Sequence, residues 1–137
     1  MRSRLAPLAL GLFASCAAFP GRGSGIPASS RAAGTFAAQL ALTGRSTYVG
    51  TLQLGATTAD SVRGSLHLIS PVTVDAVLSG VVRRDSLILG GSYTGANGCA
   101  GDLRASLAMP TDRGATGPFQ LADKCAGALS GAMTVSR

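Results

Sequence analysis

The chain has 137 residues, enough for one domain, and it carries a net charge of +6, 19 glycines, no glutamate and a single lysine. Good helix formers are scarce, whereas Val, Thr, Ser and Leu are abundant, so the composition predicts an all-β domain with one core. The twelve basic residues are scattered and no row of aromatic side chains accompanies them, which argues against a nucleic-acid-binding groove.

The first sixteen residues have the layout of an export signal. Arg2 and Arg4 supply a positive start, Leu5–Phe13 is an uncharged apolar stretch, and two small residues lead to Cys16. The run LFASC, which ends at Cys16, resembles the lipobox of bacterial lipoproteins. That resemblance implies a signal peptide over residues 1–15 and a mature chain that begins at a diacylglyceryl-modified, N-acylated Cys16.

The same resemblance implies a destination. An aspartate directly after the lipidated cysteine retains such lipoproteins at the inner membrane, and this chain has Ala17 there. We therefore expect a protein attached to the outer membrane through its lipid, on the periplasmic side. The alternative is an ordinary signal cut near Ala17 or Ala18, which would give a secreted or soluble periplasmic protein. A spanning helix is disfavoured because it needs ~20 apolar residues.

Residues 17–34 are small and rich in Pro, Gly and Ser, without hydrophobic periodicity. This composition predicts that residues 16–34, the lipidated cysteine and the segment after it, form a flexible tether. The folded domain is predicted to span residues 35–137.

Eight segments of that domain alternate apolar and polar residues with a period of two, as half-buried strands do. Mostly short turns, with one longer connection over Pro110–Gly117, indicate an antiparallel up-and-down meander. Closure removes exposed edges, so the predicted fold is a single small all-β barrel of about eight strands, similar in organisation to the lipocalin/avidin type. The predicted strands are Thr35–Thr43, Thr47–Leu54, Ser61–Ile69, Val72–Val82, Ser86–Thr94, Cys99–Met109, Pro118–Ala122 and Cys125–Val135.

A repeated Gly-X-Leu motif supports closure. Its glycines, Gly50, Gly64, Gly101 and Gly127, all fall on the predicted apolar face. Inward glycines relieve crowding where a strand coils around a narrow barrel. The chain has no tryptophan, so the tryptophan expected near the first strand of a lipocalin or avidin is missing.

Cys99 and Cys125 are the two cysteines left when Cys16 is lipidated, and an oxidising periplasm favours a disulfide between them. Each opens a predicted strand, faces inward by parity and lies at the same barrel end. One strand between them would hold them about 9–10 Å apart, beyond disulfide reach. The bond therefore requires the seventh strand to be short or displaced at that end.

Catalytic chemistry is not indicated. His67, the single histidine, falls on the polar face of its strand and has no partners at metal-ligand spacing. The aspartates and arginines of the domain fall on outward or turn positions, so no pair of carboxylates lines a cleft. The sequence predicts no enzyme activity, no metal and no cofactor.

Three function classes remain. Large inward residues alternate with Gly and Ala, which favours a filled barrel that acts as a structural or interaction module. The alternative is a barrel that binds a small apolar ligand, with Tyr48 and Tyr93 as the polar groups lining its interior. A further alternative is an inhibitor of lysozyme or a protease, since Thr43–Tyr48 (TGRSTY) resembles the Ser-Gly-X-X-Tyr loop of lysozyme inhibitors, with a spacing one residue different. A membrane-embedded barrel is disfavoured because two Tyr and four Phe cannot supply aromatic girdles.

A partner of a filled barrel must bind outside. Pairing two strands about Arg84-Asp85 sets Val81 opposite Ile88, both pointing outward, with Val77 farther along the same face. Exposed apolar residues beside charge are typical of contact sites, although β-branched residues also simply favour strands. Val77, Val81 and Ile88 are therefore the predicted patch for a protein partner or a second copy.

Overall fold

The computed structural model describes residues 26–108 and 114–137, and these residues form a closed antiparallel barrel. Each strand pairs with the next along the chain, and the first pairs with the last, so the predicted eight-stranded meander is confirmed. The elements in chain order are α1 (Ala28–Ala32), β1 (Gly34–Leu42), β2 (Thr47–Ala56), β3 (Ser61–Ser70), β4 (Val74–Arg83), β5 (Ser86–Gly95), β6 (Ala100–Ala108), β7 (Gly114–Asp123) and β8 (Gly127–Ser136).

The barrel interior is the predicted apolar face. Buried and exposed residues alternate along the strands, because successive side chains of a strand point to opposite sides of a sheet. Full burial of each large apolar side chain contributes about 1.5–3 kcal/mol, so this interior is the main source of stability. The largest side chains with less than 2 % exposure include Phe36, Leu52, Leu66, Leu78, Leu87, Leu89, Leu107, Phe119 and Met133.

Inward glycines allow neighbouring strands to bend closely past one another, as the sequence predicted for Gly50, Gly64 and Gly101. The same prediction is wrong for Gly127, where an added Cβ would meet nothing within 4 Å and the glycine instead supplies the φ of +79° at the start of β8. A Cβ atom added to Gly64 would lie 1.7 Å from the carbonyl oxygen of Gln53, and one added to Gly91 would lie 1.9 Å from that of Val77. Both obstacles are backbone atoms of the adjacent strand, which no change of rotamer removes. The curvature of the barrel therefore requires glycine at these positions.

Helix α1 closes one end of the barrel. It packs against β2, β3 and β4, and Ala32 is completely buried. The backbone N–H of Ser29 donates to the carbonyl of Ala59 at 3.1 Å, and its hydroxyl donates to the carbonyl of Thr58. The flexible tether predicted over residues 16–34 is therefore wrong for Ala28–Ala32, because small residues let this segment enter the barrel end. We call this end the plugged end and the opposite rim the mouth.

The carboxyl-terminal residue contacts the helix at the plugged end. The Arg137 guanidinium donates to the carbonyl of Arg31 at 2.9 Å and lies 4.6 Å from the centre of the Phe36 ring. A cation over an aromatic face is attractive by about 0.5–1 kcal/mol at exposed sites. The last residue of the chain thus links α1 to the first strand of the barrel.

Strand β7 differs from its prediction. It runs over ten residues, Gly114–Asp123, whereas the sequence predicted only Pro118–Ala122 preceded by a connection over Pro110–Gly117. Ala, Thr and Gly at its start carry little hydrophobic signal, but ladder pairing with β8 continues from Asp123 back to Gly114. The position of Met109, the predicted end of the sixth strand, lies outside the described residues.

The amino-terminal predictions also lie outside the described residues. They are the signal peptide over residues 1–15, lipidation of Cys16, and the tether up to residue 25. Within residues 26–108 and 114–137, none of the helices has the length and apolarity needed to cross a membrane.

Candidate functional site

The mouth of the barrel leads into a small cavity of about 80 Å³. Leucine and valine side chains from several strands supply most of its walls, and Tyr48 and Tyr93 both contribute to the lining. Tyr93 is 8 % exposed and Tyr48 is half-buried. The two residues predicted to line the interior thus meet in one cavity.

A hydrogen-bonded pair, Tyr93 and Asp123, sits in this lining. The Tyr93 hydroxyl donates to Oδ2 of Asp123 at 2.5 Å. Oδ1 of the same carboxylate accepts the backbone N–H groups of Cys125 at 2.8 Å and Ala126 at 2.9 Å. One carboxylate therefore fixes both an inward tyrosine and the turn between β7 and β8.

The contact between Tyr93 and Asp123 shifts the pKa values of the two groups in opposite directions. Burial of Tyr93, followed by its hydrogen bond to the Asp123 carboxylate, raises the pKa of Tyr93 well above its ordinary value. The hydrogen bond from Tyr93 is the main reason why the pKa of Asp123 is lowered, and the N–H groups of Ala126 and Cys125 act in the same direction. Near neutral pH the pair is a neutral phenol bound to a charged carboxylate.

Asp123 was not among the residues predicted to line the interior. The pair Asp123-Lys124 is typical of a turn, although the inward parity of Phe119 and Leu121 continues to position 123. The structure shows β7 extending through Asp123, so the carboxylate reaches the cavity. The signal was present in the alternation, but a charged residue next to Lys124 favoured a turn assignment.

Cavity size limits what the mouth can hold. Ligand pockets usually measure about 300–1,000 Å³, and an engineered apolar cavity of about 150 Å³ binds benzene. The mouth cavity, at about 80 Å³, is smaller than either. Between this cavity and the plugged end the barrel is filled by side chains, so only a few atoms of a ligand could enter.

Cys99 and Cys125, which we call the rim cysteines, lie at disulfide distance, with Sγ atoms 2.06 Å and Cα atoms 5.7 Å apart. The requirement for a short or displaced seventh strand is wrong, since β7 is full length. Neither cysteine opens a strand as predicted. Cys99 lies directly before β6 and Cys125 lies in the turn after β7. The pairing of Gly101 with Asp123, continued by two residues, sets the two cysteines opposite each other with no strand between them. The Asp123 carboxylate is within 4.8 Å of both sulfur atoms, but sulfur in a disulfide is not a thiolate and does not ligate metals strongly.

His67 has a cross-strand partner that the sequence did not predict. Its Nδ1 lies 2.5 Å from Oδ1 of Asp75, directly opposite on β4. Both side chains are more than half exposed, and an exposed pair of this kind contributes about 0–1 kcal/mol. The pair lies on the outer wall, away from the cavity.

The predicted partner patch lies on the outer wall of β4 and β5. Val81 pairs with Ile88 as predicted, and Val77 and Ile88 are 76 % and 42 % exposed. Val81 itself is half-buried. The cross-strand pair Ser79–Gly90 lies between Val77 and the Val81–Ile88 pair. Two small residues therefore divide the apolar patch into two parts.

No protein-family model matches the chain, and no curated protein matches its sequence. Two solved structures are similar in fold. A redesigned β-barrel, mFAP1, bound to DFHBI is 11 % identical with a TM-score of 0.57, over 81 % of this chain and 99 % of that chain. A de novo designed fluorescence-activating β-barrel is 14 % identical with a TM-score of 0.50, over 80 % and 98 % of the two chains. At these identities the similarity shows the barrel fold and nothing further.

Proposed function

We propose that the protein is an outer-membrane-anchored lipoprotein whose filled barrel is a non-enzymatic interaction module that binds through its outer wall. The observation that carries this proposal is the packed interior, which leaves about 80 Å³ at the mouth. An open, shallow groove lies on the outside, across β3 to β6. A barrel that can enclose only a few atoms of a ligand is suited to binding through its outer wall.

The anchor part of the proposal rests on the lipobox-like run before Cys16. Mature protein should begin at Cys16, carry the added mass of three acyl chains and fractionate with membranes. Cys16→Ala should abolish the added mass and release the protein, whereas Ser15→Ala should leave both unchanged. Unaltered mass and membrane association in Cys16→Ala would disprove the anchor.

The binding part of the proposal concerns the Val81–Ile88 pair. In native mass spectrometry of protein purified from its host membranes, Val81→Lys with Ile88→Lys should lose any retained molecule. The matched control is Ala37→Lys with Thr51→Lys, an exposed cross-strand pair on β1 and β2 that adds the same charge. If the wild-type protein and both double variants retain the molecule equally, binding at this wall is refuted.

A small ligand at the mouth is a second candidate function. The observation in its favour is the open, largely apolar cavity, in which the Tyr48 hydroxyl makes no hydrogen bond to any of the described residues. The redesigned barrel mFAP1, which is similar in fold, was solved bound to DFHBI. If this function is correct, a retained ligand should be lost in Tyr48→Phe and kept in the outer-wall double variant.

A further inference from the structure

Two arginines lie in one row of the outer wall, separated by two small residues. Ladder pairing sets Arg63 opposite Ser79, Ser79 opposite Gly90, and Gly90 opposite Arg104, in one row across β3, β4, β5 and β6. With strands about 4.8 Å apart, the two arginine Cα atoms are separated by roughly 14 Å. The two small residues between them form the floor of the outer groove. Both arginines line this groove, one on each side of the floor.

The two guanidinium groups are available for a ligand. Among residues 26–108 and 114–137, neither Arg63 nor Arg104 has a hydrogen bond or an ion pair with another side chain. One carboxylate, Asp102, lies among the described residues of the groove, and it accepts a hydrogen bond from Ser92 at 3.1 Å. The groove is thus net positive, and guanidinium groups bind phosphate through paired N–H donors.

Apolar side chains lie beside this positive row. Val81 and Ile88 form the next row toward the plugged end, and Val77 lies on the side of the mouth. Arg83 follows Val81 on the same face of β4. A ligand that satisfies this arrangement has a compact anionic group for the arginines and an apolar chain for the Val81–Ile88 row.

The place of α1 at the plugged end bears on the source of such a ligand. Ile26 lies directly before the plug, and nine residues, or ten steps along the chain, lie between it and Cys16. Ten such steps extend at most about 35 Å, so an anchor at Cys16 would keep the plugged end within that distance of the bilayer. The apolar row lies on this bilayer side of the arginine row, which matches a lipid whose chains point back to the membrane.

We propose that the outer groove binds the phosphate head group of an anionic membrane lipid between Arg63 and Arg104, with an acyl chain over Val81 and Ile88. This inference rests on the proposed membrane anchor for its choice of a lipid over free phosphate. The Ser79 hydroxyl adds a donor on the groove floor, and Gly90 leaves room for the phosphate.

The test is a titration of the purified full-length chain, in a non-ionic detergent, with dihexanoyl phosphatidylglycerol followed by amide NMR shifts. We expect the largest shifts at Ser79, Ile88 and Gly90. Arg63→Gln with Arg104→Gln should weaken binding at least tenfold. The control is Arg45→Gln with Lys124→Gln at the mouth turns, which removes the same charge and should change affinity less than twofold. Thermal unfolding confirms that each variant is folded.

Further titrations separate lipid from phosphate. Dihexanoyl phosphatidylcholine and inorganic phosphate should each bind at least fivefold more weakly than the phosphatidylglycerol. Equal binding of the two lipids, equal loss in both double variants, or phosphate binding as tightly as lipid would overturn the inference. The titration does not require acylation of Cys16, so it is independent of the anchor experiment. If the mature protein is acylated at Cys16 but the titrated chain binds no lipid in the groove, this inference alone is refuted. An unmodified Cys16 refutes the anchor instead.

Discussion

Alanine at two adjacent glycines should have opposite effects on stability. In Gly91→Ala the new Cβ would lie 1.9 Å from the carbonyl oxygen and 3.0 Å from the carbonyl carbon of Val77. Strands β4 and β5 would have to separate by roughly 1 Å to restore van der Waals contact. Overpacking typically costs ~1–3 kcal/mol, and the weakened ladder hydrogen bonds add ~1 kcal/mol. We therefore expect a loss of about 3 kcal/mol.

Gly90→Ala is the matched control. Its Cβ would lie 3.5 Å from the carbonyl oxygen of Leu103, an ordinary contact, on the outer wall. Replacing glycine within a strand by alanine should gain roughly 0.5 kcal/mol, because the unfolded chain loses conformational freedom.

Thermal unfolding followed by circular dichroism measures both effects. For a domain of this size 1 kcal/mol corresponds to a change in Tm of ~4–8 °C. Gly91→Ala should lower Tm by on the order of 15 °C, and Gly90→Ala should raise it by a few degrees. Urea unfolding at about 25 °C should give the same order of stabilities. Equal Tm values for the two variants would show that strand crowding does not set the glycine positions.

The other predictions concern the mouth and the core. Tyr93→Phe should lower stability at pH 7 by about 1.5–3 kcal/mol; since the pKa of Asp123 is lowered by folding, this difference should disappear as pH falls below the ordinary carboxyl range. The raised pKa of Tyr93 predicts that wild-type stability falls as pH rises above about 10, which Tyr93→Phe should not show in a pH series of urea titrations. Leu66→Asp should prevent folding because Leu66 is 2 % exposed, whereas Ser65→Asp should change Tm by only a few degrees. Serine at both rim cysteines should cost about 3 kcal/mol, measured against the oxidised chain, because the loop spanning 26 positions is no longer closed.

The barrel and its core were predictable because one periodic signal specifies both. Alternation with a period of two assigns each strand an inward face, and residues such as Leu66 and Leu89 are buried as their parity requires. Short turns then leave an antiparallel meander as the simplest topology. The pairing of Val81 with Ile88 followed from the same turn geometry.

The site could be predicted only in part, because its decisive contacts are between strands or across the barrel end. Tyr93 was predicted to face inward, but its partner Asp123 is 30 positions away and was assigned to a turn. The plug was missed because Ala28–Ala32 is too short and too polar to show a helical hydrophobic period. The alignment of Arg63 with Arg104 depends on the register of three successive ladders, which residue types alone do not specify.

The pairing of β1 with β8 should limit the rate at which the barrel folds. Seven of the described ladders join strands that are neighbours along the chain, whereas the eighth joins Ala37 to Ser136. Hairpins form within microseconds, but a contact across about a hundred residues carries a larger loop-closure entropy and forms slowly. Until it forms, β1 and β8 are open edges that can pair with another chain. Folding speed and resistance to aggregation should therefore depend most on this single seam, even though it is one of eight in the finished barrel.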